Sequence, residues 1–177
     1  GPFVYLAPDW TPKRGRTLKG HVDEKGDGYY WDFMNLPLDV DGDGRLDIVS
    51  CSWFEKSSTW FRNPGGFEEE WKEALVEENG NFECGDLADI DGDGKPLEVL
   101  PHVPRTVWYE VGTRPDGSRG LLVHVVSEEP EPYGGGAGDV NGDGRPDILR
   151  PTAWYEAPKD PRTGAWTRHP LAVGHAE

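Results

Sequence analysis

Three short acidic stretches carry the densest chemistry in the sequence: "DVDGDGRLD" at 39–47, "DIDGDGKPLE" at 89–98 and "DVNGDGRPD" at 139–147. In the first, Asp39, Asp41, Asp43 and Asp47 stand at positions 1, 3, 5 and 9, and Arg45 at position 7 offers a backbone carbonyl. Alternation turns these oxygens toward one centre, while Gly42 and Gly44 allow the tight turn and keep side chains out of it. Like charges at ligand-sphere distances repel strongly unless a cation lies between them. An all-oxygen donor set of flexible geometry selects Ca²⁺ over Zn²⁺ or Cu²⁺, so up to three Ca²⁺ ions are the expected cofactors.

The second loop supplies Asp89, Asp91, Asp93 and the Lys95 carbonyl, but position 9 is Leu97 and the acid arrives one residue late, as Glu98. Either Glu98 reaches in through a bulge or this site is the weaker one. The third loop offers Asp139, Asn141, Asp143, the Arg145 carbonyl and Asp147, with an amide oxygen where the others have a carboxylate. The expected order of affinity is therefore first, third, second. An EF-hand needs a bidentate Glu at position 12 and helical flanks, whereas position 12 here is Ser50, Leu100 or Arg150 and the flanks read as strands. The competing reading is a set of solvated Asp-Gly turns without metal.

The loops start at Asp39, Asp89 and Asp139, so they recur every fifty residues. Such a period signals a solenoid or a propeller. Other features keep the same interval. Each loop is followed by a short apolar run ("LDIVS", "LEVLP", "PDILR"), then an aromatic pair (Trp60-Phe61, Trp108-Tyr109, Trp154-Tyr155), then a segment of alternating character ("WKEALVE", "LLVHVVS", "WTRHPLA"). With the apolar stretch before each loop this makes four short strands per repeat, the size of one propeller blade. "VYLAP" at 4–8 matches "WYEAP" at 154–158, and "LKGHV" at 18–22 matches the later fourth strands. The expected fold is thus all-β. It comprises the outer two strands of a partial blade in 1–25 and three complete four-stranded antiparallel blades in 26–78, 79–128 and 129–177. This would be part of a larger propeller of about seven blades.

The loops, together with "WFRNPG" and "WYEAP", resemble the FG-GAP or VCBS repeats of calcium-binding β-propellers, the blade type of integrin α-subunit heads and of many secreted bacterial proteins. The resemblance spans almost the whole chain. It implies that each loop joins the innermost strand of its blade to the second strand and holds one Ca²⁺.

A repeat also separates packing residues from ligand candidates. Trp60, Trp108 and Trp154 recur on the third strand and Trp71 and Trp166 on the fourth, so they are assigned to the core, whereas Trp10, Trp31 and Trp53 do not recur. His21, His124 and His169 fall on outer strands, His175 lies near the end, and His102 alone is unrepeated in a connecting loop. The loops at the blade end away from the acidic turns bring Tyr29, Tyr30, Trp31, Asp32, Trp53, Phe82, Glu83, His102, Arg105 and Tyr133 toward one face. Aromatic platforms beside carboxylates, an Arg and a His suit a sugar. The same residues would equally cap a ring opening or meet further blades.

Composition narrows the partners. The 177 residues carry a formal charge of −15, which argues against nucleic acid and an anionic membrane surface and suits divalent cations. Mean hydropathy is low and no apolar run is long enough to insert into a membrane. "GPFVYLAP" lacks the pattern of a signal peptide, and Gly1-Pro2 reads as a protease-cleavage scar on a piece of a longer protein. Cys51 and Cys84 are too few for a zinc site or a disulfide scaffold, though a bridge between neighbouring blades is open in an oxidising compartment.

The primary expectation is a secreted, periplasmic or cell-surface module that binds carbohydrate first and protein second, with further blades or a second chain completing the ring. A lyase or dehydratase is the alternative, with His102 or Tyr30 transferring the proton and Arg105 stabilising an enolate-like charge. The third is a self-assembling building block with exposed blade edges. No nucleophile elbow, phosphate loop or paired catalytic acids favour an enzyme.

Overall fold

The computed structural model describes residues 1–78 and 80–172; the expectation for His175 lies outside them. Their regular structure is entirely β-strand: β1 (Phe3–Leu6), β2 (Thr11–Arg14), β3 (Gly20–Val22), β4 (Gly28–Tyr30), β5 (Met34–Leu38), β6 (Asp47–Ser52), β7 (Ser57–Arg62), β8 (Lys72–Glu78), β9 (Cys84–Ala88), β10 (Glu98–His102), β11 (Thr106–Thr113), β12 (Arg119–Ser127), β13 (Gly136–Gly138), β14 (Asp147–Leu149), β15 (Ala153–Glu156) and β16 (Thr167–Pro170). Three four-stranded antiparallel sheets follow chain order: β5-β6-β7-β8, β9-β10-β11-β12 and β13-β14-β15-β16. Every acidic loop joins the first strand of its sheet to the second.

The strand sequences explain their places. β6 (DIVSCS) and β10 (EVLPH) are buried along nearly their whole length, as inner strands covered on both faces must be. β8 (KEALVEE) ends its sheet and puts Lys72, Glu73, Glu77 and Glu78 at the border, where charge discourages further strand pairing. The aromatic pairs sit on the third strand of each sheet, as the repeat indicates.

Two compact units result, one of Gly1–Phe82 with the hairpin tip Thr113–Gly120, the other of Glu83–Gly112 with Leu121 onward. The first is built on Met34, Leu38, Val40, Val49, Trp60, Phe61 and Trp71. The second is built on Ile90, Leu100, Trp108, Ile148, Ala153 and Tyr155. In the second unit Trp108 stacks on His124 at 4.2 Å and Trp154 on His169 at 4.1 Å, so these outer-strand histidines pack. Trp71 and Trp166 each donate the indole N–H to a carbonyl five residues upstream, Gly66 and Pro161, which ties the approach to β8 and β16.

The first thirty residues depart from expectation. "VYLAP" does not pair with "LKGHV"; instead β1 pairs with β2 and β3 with β4. Local turns decide this. Trp10 takes the left-handed region with φ of 56°, and the Thr11 hydroxyl donates to Asp9 at 2.5 Å, so the chain doubles back at once. At 23–27 the Asp23 carboxylate accepts the N–H groups of Lys25 and Asp27 and closes the second hairpin. His21 therefore lies on β3 of a two-stranded hairpin, and residues 28–30 belong to that hairpin and not to the first four-stranded sheet.

Candidate functional site

The three acidic loops repeat one hydrogen-bond pattern. The carboxylate at position 1 takes the N–H groups at positions 4 and 6: Asp39 those of Gly42 and Gly44, Asp89 those of Gly92 and Gly94, Asp139 those of Gly142 and Gly144, all between 2.7 and 2.9 Å. Position 3 accepts from the N–H of position 5, and position 5 from that of position 7. This winding puts both glycines at φ between 77° and 85° in every loop, a region that costs a side-chain-bearing residue strain. The spacing Asp-x-Asp/Asn-Gly-Asp-Gly therefore encodes a cradle held by its own side-chain oxygens.

The donor set fits a hard cation. Carboxylate oxygens of Asp39, Asp41 and Asp43 lie within 4.8 Å of one another, as do those of Asp89, Asp91 and Glu98. Oxygens opposed across a calcium ion at about 2.4 Å from each stand at most about 5 Å apart. Basic side chains offset part of the charge: Arg45 pairs with Asp43, Arg145 with Asp143, Arg62 with Asp41 at 2.5 Å, and Arg162 with Asp91 at 2.6 Å.

Position 9 has a second task. Asp47 accepts the N–H of Val40 at 3.0 Å and that of Asn63 at 2.7 Å, clamping the loop to the third strand. Asp147 does the same with Val140 and Ala157. Glu98 accepts the equivalent N–H, from Ile90, at 2.9 Å. Its extra methylene recovers the one-residue delay. Leu97 is the surplus residue, turned out by a tight bond from its N–H to the Lys95 carbonyl and 46% exposed. Burial raises the carboxyl pKa of Asp47 and of Glu98; in Glu98 the charges of Asp91 and Asp89 push the same way, while the backbone donors oppose it. By contrast the Gly144 N–H, with those of Gly142 and Asp143, holds Asp139 below the usual carboxylate range.

The expected ligand residues separate into those that present a surface and those that do not. In the first unit Tyr29 and Tyr30 are exposed and Trp31 is half-buried. Tyr29 and Trp31 join Phe33 and Phe54, with ring centroids 5.9 to 6.5 Å apart, and His21 meets Trp31 edge-on at 5.3 Å. Phe33 and Phe54 were missed in the sequence, although each lies within two residues of a non-recurring Trp. Trp53 is half-buried in the β6–β7 turn, where its carbonyl takes the Asn81 amide.

Two residues of that set are committed elsewhere. Asp32 accepts from Arg16 at 2.8 Å and from the Ser50 hydroxyl at 2.7 Å, and Arg16, itself 1% exposed, lies over Phe61. This carboxylate serves a buried ion pair. Phe82 is completely buried, so its ring fills the interior and presents no face to a ligand.

In the second unit Glu83 is exposed and Tyr133 half-buried, while Arg105 pairs with Glu128 at 3.1 Å. His102 is buried, with Nδ1 2.8 Å from the Cys84 sulfur. Neither cysteine forms a disulfide.

Residues 39–97 match the family model of the FG-GAP-like repeat, which is consistent with the FG-GAP/VCBS resemblance of the loops. No curated protein and no solved structure matches the chain.

Proposed function

We propose that this chain is a calcium-stabilised β-propeller-type binding module, built on FG-GAP blades and itself secreted, periplasmic or held at the cell surface, with carbohydrate as its first ligand. One observation supports the metal above all: three loops fifty residues apart wind into the same carboxylate cradle. Asp39, Asp41, Asp43 and Asp47 would hold the first ion with the Arg45 carbonyl. Asp89, Asp91, Asp93, Glu98 and the Lys95 carbonyl would hold the second, and Asp139, Asn141, Asp143, Asp147 and the Arg145 carbonyl the third. The ion would neutralise carboxylates that the fold crowds together, so its contribution is structural.

The pH dependence follows from the raised carboxyls. Without metal, the charged forms of Asp47 and Glu98 oppose folding. The stability linked to their raised pKa is complete below the unfolded value of about 4 and is lost as pH rises through the folded one. Calcium needs the charged forms. Titration calorimetry is therefore expected to show affinity at the first and second loops falling before pH reaches the ordinary carboxylate range of about 4, and an affinity that stays constant down to that range would contradict the ligand role of these two acids.

For the carbohydrate, support comes from the aromatic cluster of the first unit, exposed Tyr29 and Phe54 beside half-buried Trp31 and Phe33, which offers flat apolar faces beside polar groups. Trp31→Ala and Phe54→Ala are each expected to weaken binding on a glycan array at least tenfold with the melting temperature little changed. Equal glycan binding by both variants would rule this face out. A protein ligand, or blades of a second chain, would then be the next occupant to test.

A further inference from the structure

Strands β9 and β10 place Cys84 directly opposite His102 in the antiparallel register. The Cys84 sulfur lies 2.8 Å from His102 Nδ1, and His102 Nε2 lies 3.4 Å from an oxygen of Asp86, two residues along β9. His102 is 7% exposed, whereas Cys84 is half-buried and Asp86 is exposed. A sulfur, an imidazole and a carboxylate thus stand in line, the sulfur belonging to a half-buried residue.

We propose that Cys84 is a base-assisted nucleophile that exchanges with low-molecular-weight disulfides, cationic ones in preference. His102 with its proton on Nε2 presents Nδ1 as an acceptor to the thiol S–H, the arrangement of a nucleophile and its base. The sulfur attacks one sulfur of R–S–S–R. A Cys84–S–S–R bond forms as the original S–S bond breaks, Nδ1 takes the thiol proton, and that proton goes to the departing thiolate to give R–SH. The disulfide is the oxidant, and no other redox partner is needed. Asp86 faces the imidazolium that forms in between.

Burial and the charges of Glu83 and Asp86 hold the Cys84 thiol above its usual pKa, and burial holds His102 below its own, with Asp86 opposing and Arg150 assisting. Both shifts disfavour a standing thiolate–imidazolium pair, so the exchange depends on the place of the imidazole beside the sulfur. The charged groups around it set the preference. Glu83 and Asp86 are exposed and negative; Arg150 is buried and donates to the Val103 and Pro132 carbonyls; Tyr133 is neutral. A diammonium disulfide is drawn to this rim and an anionic one repelled. The inference does not rest on the calcium or carbohydrate reading.

The test uses the full chain carrying Cys51→Ser, so that Cys84 is the one thiol left, with adducts followed by intact-protein mass spectrometry. Cystamine is expected to react fastest, hydroxyethyl disulfide next and glutathione disulfide slowest, with a spread of about tenfold at low salt that shrinks in 0.5 M NaCl. His102→Gln is expected to slow all three at least tenfold, since general-base help is typically worth about 10²-fold or more. Asp86→Asn, a change at an exposed side chain, is expected to narrow the cystamine preference. The proposal is overturned if folded His102→Gln reacts at the parent rate. It is equally overturned if Asp86→Asn leaves the spread between cystamine and glutathione disulfide as wide as in the parent, which decides the matter even where His102→Gln does not fold.

Discussion

Calcium at about a hundred times its dissociation constant is expected to add about 2.7 kcal/mol of folding stability for each loop it fills. A chain of this size gains about 2–4 °C in melting temperature per kcal/mol, so each ion should contribute roughly 5–10 °C and three ions several times that. The cause lies in the cradles. Asp39, Asp89 and Asp139 already hold the loop backbone in its final winding, so little of the binding free energy goes into ordering it. Thermal unfolding with a calcium series against a chelator reads the effect directly. Coincident melts in calcium and in chelator would remove the metal from the account, and stepwise loss in Asp39→Ala, Asp89→Ala and Asp139→Ala would apportion it.

Trp108→Ala carries the largest expected cost of any single core change. Trp108 is completely buried, packs with Ile90, Leu100, Ile148, Ala153 and Tyr155, and stacks on His124. Truncating a buried aromatic of that kind costs about 3–5 kcal/mol through lost burial and the cavity left behind. The loss bears on the second loop too, because Ile90 is its position 2 and the donor that Glu98 accepts from. Urea denaturation is expected to show the drop, and calcium titration a weaker second site. Tyr29→Ala, at a ring 65% exposed, should change stability by no more than about 0.5 kcal/mol and serves as the control. A Trp108→Ala protein as stable as the parent would mean that the core of the second unit lies elsewhere.

The acidic loops were legible because their information is local: residue types at fixed spacing dictate glycine φ values and carboxylate caps whatever surrounds them. The sheet order was legible for a related reason, since each strand pairs with its sequence neighbour. Partner choice in the first thirty residues was not. The likeness of "VYLAP" to "WYEAP" is real, but the turn at Asp9 and Trp10 closes a hairpin with the next segment, a pairing that costs less chain entropy than a longer loop. Burial at Phe82 and Asp32 was hidden as well, because irregular segments read as surface until tertiary packing covers them; the signal for Asp32 was the distant Arg16. Glu98 was left between two outcomes by sequence, and the outward turn at Leu97 resolves its position. The Cys84–His102 pair could be found only from register, since the two residues flank an acidic loop eighteen positions apart.

The charged border strand of the first sheet bears on how such a chain survives at high concentration. Lys72, Glu73, Glu77 and Glu78 stand where a foreign segment would have to dock its backbone, and an approaching strand must either pair with these charges or strip water from them. Charge at that border disfavours templated strand addition, so neutral replacements of the four are expected to raise the tendency to form fibrils.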